Sequence, residues 1–232
     1  MGGRSQETST YTLNRAFQSF RQPGSSIKPL IVYAPALEEG YASFSSVKDI
    51  NVDAAKEPKA DVASLPGNWI TLRQAVEKSR NGAAWWLFNE VTPEEGLSYL
   101  TQMRFDKIVP DDYNMAASLG GFTYGVTAEE MAGAFSALEN GGVYREPDCI
   151  VRMENLAGED IYTGREPKEV YSQQTAAVMV DVMKGVISRG TARGMGWKSG
   201  IEAAGKTGTT NNSKDGWFCG MTPYYTVTVW VG

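Results

Sequence analysis

Arg21-Gln-Pro-Gly-Ser-Ser-Ile-Lys-Pro29 joins a break in the chain to the start of an apolar segment. Pro23-Gly24 interrupts regular structure, and apolar residues then recur at helical spacing between positions 25 and 34. Ser25 and Lys28 share one face of such a helix, which brings the lysine amine within reach of the serine hydroxyl. A serine at a helix start also lies near free backbone N–H groups and the positive end of the helix dipole. The segment therefore predicts a helix that presents a serine and a lysine together.

This four-residue pattern occurs twice in the chain. Ser45-Ser46-Val47-Lys48 repeats it within residues 38–68, a polar stretch that we predict to be loop or irregular structure. For Ser25 taken alone, the alternative is an ordinary helix cap with Lys28 as a solvated charge. Because only the first copy stands at a break followed by an apolar helix, we select Ser25 and Lys28.

The composition restricts the chemistry that such a serine can perform. The 232 residues include no histidine, which excludes Ser-His-Asp and Cys-His catalysis and removes the commonest metal ligand. Cys149 and Cys219 are too few for a disulfide framework or a zinc site, and we expect two partly buried thiols. A nucleophilic hydroxyl would therefore need another activating group, for which a lysine of lowered pKa is the leading candidate. We expect no metal and no cofactor.

Charge and hydropathy exclude two further classes of protein. The net charge is −5 and no lysine or arginine cluster is present, so a nucleic-acid partner is not expected. No apolar run approaches the roughly 20 residues that a membrane helix needs. The polar start of the chain does not resemble a signal peptide.

Ser79-Arg80-Asn81 forms a second candidate motif, at the end of a helix that begins at Thr71 with Gln74 as its capping-box partner. Residues two positions apart point the same way in an extended or turn conformation. Ser79 and Asn81 could then relay a proton and bind a substrate amide. The alternative is a polar helix C-cap with Asn81 in or near the left-handed region.

A third motif, Lys206-Thr207-Gly208-Thr209-Thr210, sets a lysine beside several hydroxyls. Its glycine permits close backbone approach, and the combination suits a carboxylate ligand. A similar form, Lys198-Ser199-Gly200, is followed by Glu202, whose charge would repel a carboxylate. We therefore select Lys206.

Residues 200–207 also match the phosphate-loop pattern G-x-x-x-x-G-K-[ST]. That motif requires a strand before it and a helix that opens at the lysine. A strand pattern follows here instead, and too little chain remains for a nucleotide-binding sheet. We interpret the match as accidental.

The remaining sequence predicts a mixed architecture. Helices are predicted at 25–34, from 71 to about 79, from Thr92-Pro93, from 127 to 141 and near 173–187. A small β excursion is predicted at 143–163 with a turn near Ala157-Gly158, and a strand at 226–231 after a turn at Thr222-Pro223. The fold class is α/β of the α+β type, in one catalytic unit.

Taken in this order, S-x-x-K, S-x-N and K-T-G-T resemble the serine penicillin-recognising enzymes. The flanking residues are similar to the transpeptidase domain of bifunctional, class A penicillin-binding proteins. The segments that carry this resemblance are Arg21–Pro29, Thr71-Leu-Arg-Gln-Ala-Val76 with Ser79–Asn81, Gly125-Val-Thr127 with Glu130-Met-Ala132, Gly190-Thr-Ala192, Gly205–Asn211, Asp215-Gly-Trp-Phe218 and Val229-Trp-Val-Gly232.

The resemblance implies a β-lactamase/transpeptidase-like fold, an antiparallel β-sheet flanked by helices with an α-rich subdomain. We expect one domain over 1–232, with the α-rich part at approximately 35–170 and sheet-associated parts at approximately 1–34 and 171–232. In the family, two strands precede the segment that begins here at Met1, and further structure follows Gly232. The chain is therefore expected to be a truncated domain with exposed sheet edges.

The resemblance also implies a role for each motif. Ser25 would attack the carbonyl between the two terminal D-alanines of a peptidoglycan stem peptide, and an uncharged Lys28 would accept its proton. Backbone N–H groups of Ser25 and Thr209 would form the oxyanion hole. Ser79 would pass a proton to the leaving amine, and Asn81 would hold the donor amide. The implied substrate-binding residues, which include the cation for the terminal carboxylate, are Lys206, Thr207, Gly208, Thr209 and Thr210.

As partners, the resemblance implies stem peptides and β-lactam antibiotics, which would trap Ser25 as a stable ester. It implies action at the extracytoplasmic face of the bacterial cell membrane, with membrane attachment only through segments absent from this chain. The acyl group would pass to an amine of a neighbouring stem peptide and form a cross-link. The alternatives are a D,D-carboxypeptidase or β-lactamase-type hydrolase, and a sensor that is acylated without transferring the acyl group.

Overall fold

The computed structural model describes residues 13–57, 60–162, 164–197, 200–210 and 213–232. The α-helices are α1 (Arg15–Gln18), α2 (Ala34–Glu38), α3 (Val52–Ala55), α4 (Leu72–Glu77), α5 (Asn81–Val91), α6 (Pro93–Gln102), α7 (Ala128–Glu139) and α8 (Gln173–Ser188). The strands are β1 (Ser46–Ile50), β2 (Gly67–Thr71), β3 (Val143–Tyr144), β4 (Lys168–Glu169), β5 (Ala204–Thr209), β6 (Gly216–Met221) and β7 (Thr226–Val231). Short 3₁₀ turns lie at Gly24–Ile27, Pro110–Asp112, Met115–Leu119 and Arg193–Met195.

The predicted helix after Pro23-Gly24 is present, but it is not a uniform α-helix. A 3₁₀ turn at Gly24–Ile27 leads into a π-helical turn at Pro29–Tyr33, and α2 continues the same rod. Pro29 and Pro35 supply no N–H, which favours local departures from the α-helical hydrogen-bond pattern. The rod is buried on all sides, since every residue from 26 to 36 is buried. It is therefore the central element of the molecule.

The sheet is three-stranded and antiparallel in the described residues, with the order β5-β6-β7. In its register Lys206 lies opposite Cys219, and Trp217 lies opposite Trp230. Helix α8 packs on β5, and α7 packs on β6 and β7. The period-two pattern at 226–231 predicted β7, and this prediction is confirmed. The antiparallel sheet flanked by helices is likewise as expected.

Residues 38–68 are more regular than predicted. Strand β1 pairs with β2 in an antiparallel ladder in which Ser46 lies opposite Thr71, and α3 follows β1. A short strand with a mostly polar sequence gives little periodic signal, and its partner lies far along the chain. The second S-x-x-K copy therefore lies at a strand, where the Lys48 amine contacts the carbonyl of Ala63 at 3.2 Å.

The predicted capped helices are present, and one helix was not foreseen. Capping boxes at Thr71 and Thr127 begin α4 and α7, and Thr92 caps α6. Helix α5 begins at Asn81, where the sequence predicted the end of a helix. A break of only three residues between α4 and α5 obscured the second start, because the apolar pattern resumes almost at once.

The region 143–163 is only partly β-structure. β3 pairs with β4, which lies beyond the predicted region, and a single bridge joins Glu154 to Asp160. The predicted turn is confirmed by a positive φ of 80° at Gly158. Of the two cysteines, Cys219 is buried, whereas Cys149 is exposed and not the partly buried thiol that we expected.

One apolar core joins the helices to the sheet. It is continuous from the central rod through the helices to β6, and its fully buried members include Ile27, Leu87, Phe135, Met183 and Cys219. The division into an α-rich part at 35–170 and sheet-associated parts stays a prediction. Within the described residues, no helix is long and apolar enough to cross a membrane.

Gly82 provides a test of how closely α5 is packed on β1. A Cβ at this position would lie 2.0 Å from the carbonyl oxygen of Ile50. Alanine stabilises a helix by about 1 kcal/mol relative to glycine. We nevertheless expect Gly82→Ala to lower the free energy of unfolding by about 1–3 kcal/mol, because the added Cβ overpacks the contact. Chemical denaturation measures the change.

Gly194→Ala is the matched control, because a Cβ there meets no described atom within 4 Å. Its free energy of unfolding should equal that of the parent chain. Equal stability of the Gly82 and Gly194 variants would contradict the close approach of α5 to β1.

Candidate active site

The 3₁₀ turn that carries Ser25 packs directly on the backbone of β5. A Cβ on Gly24, whose φ is +52°, would lie 2.8 Å from the Thr209 carbonyl oxygen. A Cβ on Gly208 would lie 2.4 Å from the Pro23 carbonyl oxygen. Two glycines thus let turn and strand touch without intervening side chains. The half-buried Ser25 is held beside the strand that contains the third motif.

Lys28 lies one turn after Ser25 and is fully buried. Its amine donates to Asn81 Oδ1 at 2.6 Å and to the Ser79 carbonyl oxygen at 3.1 Å. Burial lowers the pKa of Lys28 well below the usual lysine value, and the positive charge of Lys206 lowers it further, against an opposing effect of Asp49. The lowered pKa favours the uncharged form of the Lys28 amine.

The second motif forms the turn between α4 and α5. Ser79 adopts a positive φ of 54°, so it is this residue, and not Asn81, that lies in the left-handed region. The turn sends the Ser79 and Asn81 side chains toward the two buried lysines. Arg80 points the other way and donates through Nε to Asp49 Oδ2 at 2.6 Å. The polar C-cap interpretation of Asn81 is therefore wrong, because Asn81 opens α5.

Lys206 lies on β5 and is also fully buried. Its amine donates to Ser79 Oγ and to the Thr207 carbonyl oxygen, both at 2.8 Å. Burial lowers the pKa of Lys206 to about 7. Cys219, opposite it on β6, has the smaller and opposite effect on this pKa, and burial raises the pKa of the thiol itself to about 12. Lys206 can therefore exchange between charged and neutral forms near physiological pH.

The other members of the third motif occupy different environments. Thr209 is exposed, and the Thr207 hydroxyl lies 2.6 Å from that of Thr191. The Thr210 hydroxyl donates to Asp215 Oδ2 at 3.0 Å, which ties it to the β5–β6 connection. Of the hydroxyls in this motif, that of Thr210 is thus bonded to the β5–β6 connection, whereas that of Thr207 is bonded to Thr191.

The three motifs meet at one place in the molecule. Lys28 of the first bonds to Asn81 of the second, and Ser79 of the second bonds to Lys206 of the third. Among the described residues, no hydrogen bond joins Ser25 directly to either lysine. The arrangement combines a hydroxyl, a buried amine of lowered pKa and a second cationic group, which are the parts needed for nucleophilic acyl chemistry without histidine.

The decoy patterns have different surroundings. Lys206 and Thr207 lie in the middle of antiparallel strand β5, where a phosphate loop would open a helix, so the nucleotide interpretation is excluded. Residues 198 and 199 of the similar K-S-G pattern lie outside the described residues.

Sequence reasoning missed three residues that support the site. Asp49 pairs with Arg80 of the second motif, the Glu77 carbonyl oxygen accepts from the Thr191 N–H, and the Thr191 hydroxyl bonds to that of Thr207. Asp49 lies in the segment that was predicted to be irregular, and a buried carboxylate at Glu77 has no local signature. Thr191 belongs to a segment that carried the family resemblance, which was the only available signal.

Comparison with known proteins gives consistent matches over almost the whole chain. Residues 2–232 match the family described as the penicillin binding protein transpeptidase domain. Penicillin-binding protein 4 of Bacillus subtilis is 36% identical over 230 residues, which cover 96% of this chain and 36% of that protein. Penicillin-binding protein 1A of Pseudomonas aeruginosa is 33% identical over 291 residues, which cover 100% of this chain and 34% of that protein.

The solved structures show the same fold. The crystal structure of the D,D-transpeptidase domain of a peptidoglycan glycosyltransferase from Eggerthella lenta superposes with a TM-score of 0.71 and 25% identity. The match covers 94% of this chain and 61% of that one. The chain thus spans about a third of the length of the curated relatives.

The two buried lysines should titrate as a coupled pair. Because the charge of Lys206 lowers the pKa of Lys28, Lys206→Met should raise the pKa of Lys28 toward the usual lysine value without reaching it. The ¹³Cε shifts of labelled lysine, followed through a pH titration and assigned with Lys28→Met, measure this change.

Lys184→Met is the control, since Lys184 is a partly exposed lysine paired with Glu202. It should leave the Lys28 titration where it is in the parent chain. A Lys28 signal that titrates like free lysine, or that ignores Lys206→Met, would contradict the electrostatics described above.

Proposed function

Because this chain belongs to the penicillin-binding protein transpeptidase family, we propose that it is a peptidoglycan D,D-transpeptidase domain with Ser25 as its nucleophile. Its relatives include class A members such as penicillin-binding protein 1A. The observation that carries the proposal is the pair of hydrogen bonds, Lys28 to Asn81 and Lys206 to Ser79, that unites the three motifs. These bonds connect both lysines to the turn between α4 and α5.

In the acylation step, Ser25 Oγ attacks the carbonyl carbon of the bond between the two terminal D-alanines. Lys28, as the uncharged amine, accepts the hydroxyl proton, a role supported by the burial that lowers its pKa. The backbone N–H groups of Ser25 and Thr209 stabilise the oxyanion, and the contact of Gly24 with Thr209 supports their proximity. Such a donor contributes about 100- to 1,000-fold to the rate in comparable sites.

The leaving amine needs a proton, and Ser79 is its proposed donor. Its oxygen accepts a hydrogen bond from Lys206, so the Ser79 O–H gives its proton to the departing D-alanine while the Lys206 ammonium returns one to Ser79. Asn81 uses its Oδ1 to accept from Lys28, so its amide N–H groups remain available for the donor peptide. The acyl group then passes from Ser25 to an acceptor amine and forms a cross-link.

The terminal carboxylate of the donor binds Lys206 together with the hydroxyls of Thr207 and Thr209. A bound carboxylate stabilises the charged ammonium, so substrate binding raises the pKa of Lys206 above its value of about 7. Gly208 permits the strand to approach the serine turn, and Thr210 maintains the end of that strand. Substrate binding thus increases the protonated fraction of Lys206.

The proposed partners are peptidoglycan stem peptides and the β-lactams that resemble their ends. We place the reaction at the extracytoplasmic face of the bacterial cell membrane, where stem peptides are cross-linked. Membrane attachment would come from segments outside this chain.

Intact-mass analysis after incubation with benzylpenicillin tests the nucleophile. The parent chain should gain the mass of one penicilloyl group, because the opened β-lactam stays on Ser25 as an ester. Ser25→Ala should gain none. Ser45→Ala, which removes the serine of the second S-x-x-K copy, should be acylated like the parent chain.

An adduct that persists in Ser25→Ala would overturn the assignment of the nucleophile. Absence of an adduct on a folded parent chain would overturn the proposed function. Loss of the adduct in Ser45→Ala would show that the wrong copy of the pattern had been selected.

Acyl transfer is tested with a thioester analogue of the donor peptide and D-alanine as acceptor. A transpeptidase should release acyl-D-alanine at a rate that rises with the acceptor concentration, since the amine attacks the ester at Ser25. Chromatography of the products measures the partition. A hydrolysis rate that does not depend on the D-alanine concentration would indicate a carboxypeptidase or β-lactamase type of enzyme. An acyl-enzyme that neither D-alanine nor water releases would indicate a sensor.

A further inference from the structure

We propose that Thr191 is a positioning residue for carboxylate recognition, which it serves by orienting the hydroxyl of Thr207. The inference rests on the proposed function and adds a residue outside the three motifs. Thr191 Oγ1 lies 2.6 Å from the Oγ1 of Thr207, which is the residue that follows Lys206 on β5. This distance is that of a short hydrogen bond between two hydroxyls.

The loop that carries Thr191 is fixed to the end of helix α4. The Thr191 N–H donates to the Glu77 carbonyl oxygen at 3.1 Å, and the Ala192 N–H donates to the Val186 carbonyl oxygen at 3.0 Å. A Cβ on Gly190 would lie 2.3 Å from the same Glu77 carbonyl oxygen, so the backbones touch there. The position of Thr191 is therefore set by main-chain contacts.

Glu77 strengthens this connection through its side chain. The carboxylate is buried and accepts from Arg189 Nε at 3.0 Å and from Arg189 Nη2 at 2.5 Å. Gly185 of α8 leaves room for it, since a Cβ there would lie 2.2 Å from Glu77 Oε1. Because Glu77 lies two residues before Ser79, one anchor fixes both the second motif and the Thr191 loop.

The chemistry of the ligand determines the direction of the hydrogen bond. A carboxylate only accepts, so Thr207 must use its own proton to bind one. Thr191 must then donate to Thr207, and this bond also polarises the Thr207 hydroxyl and makes it a better donor. Thr191 thus contributes to binding without touching the ligand, and its contribution depends on the negative charge of that ligand.

Thr191→Val removes the donor but keeps the shape of the side chain, whereas Thr191→Ser keeps the donor. The second-order rate constant of acylation is measured for each variant with benzylpenicillin and with its methyl ester, which lacks the charge. Thr191→Val should slow acylation by benzylpenicillin about tenfold, the effect of one hydrogen bond, and acylation by the ester much less. Thr191→Ser should restore the parent rate with benzylpenicillin.

A double-mutant cycle gives a second measurement. In a chain that already carries Thr207→Val, adding Thr191→Val should cause no further loss, because the orienting bond has lost its recipient. Thr191→Ala repeats the test with a smaller side chain if the valine variant does not fold. Equal losses with acid and ester, or additive losses in the cycle, would show a merely structural role and overturn the inference.

The parent chain separates this inference from the proposed function. If the parent is acylated at Ser25 and Thr191→Val is acylated equally fast by benzylpenicillin, only the role of Thr191 is overturned. If the folded parent is not acylated at all, the proposed function fails and the inference fails with it.

Discussion

The shared burial of two lysines is the constraint on which the site depends. Lys28 and Lys206 come from segments far apart in the chain, and both side chains are fully buried. Their amines bond to one short turn, Lys28 to Asn81 and Lys206 to Ser79. Since a buried amine without partners costs several kcal/mol, these bonds hold rod, turn and strand together. The same burial lowers both pKa values, so structural and chemical requirements coincide.

Close contacts between backbones fix the relative positions of the elements that carry the two lysines. The glycines at 24 and 208 let the serine turn lie directly on β5. At the end of α4, the buried Glu77 carboxylate accepts a hydrogen bond from Arg189. Positions set by main-chain contact vary less than positions set by long side chains. The site is therefore built between elements that are already rigid, in a core that runs from the central rod to β6.

The residues proposed to carry the chemistry could be identified from the sequence, whereas many of the residues that contact them could not. S-x-x-K, S-x-N and K-T-G-T are local patterns, so their spacing could be interpreted without a fold. Asp49 and Glu77 belong to no such pattern, because their partners are long-range contacts, and Thr191 was marked only by the family resemblance of its segment. Strand β1 shows the same limit, since its short polar sequence becomes a strand only through pairing with β2.

Local features of the chain were thus sufficient to predict the chemical class and several elements, namely the absence of histidine, a serine with a lysine one turn away, the capped helices and the alternating final strand. The choice between the two S-x-x-K copies was already made from the sequence, and the folded molecule adds that one lies on the buried rod and the other at a strand. Tertiary structure alone determined that both lysines are buried and that Ser79, not Asn81, adopts the left-handed conformation. The reason is that burial and long-range hydrogen bonds are properties of neighbours in space, and a linear pattern contains only neighbours in sequence.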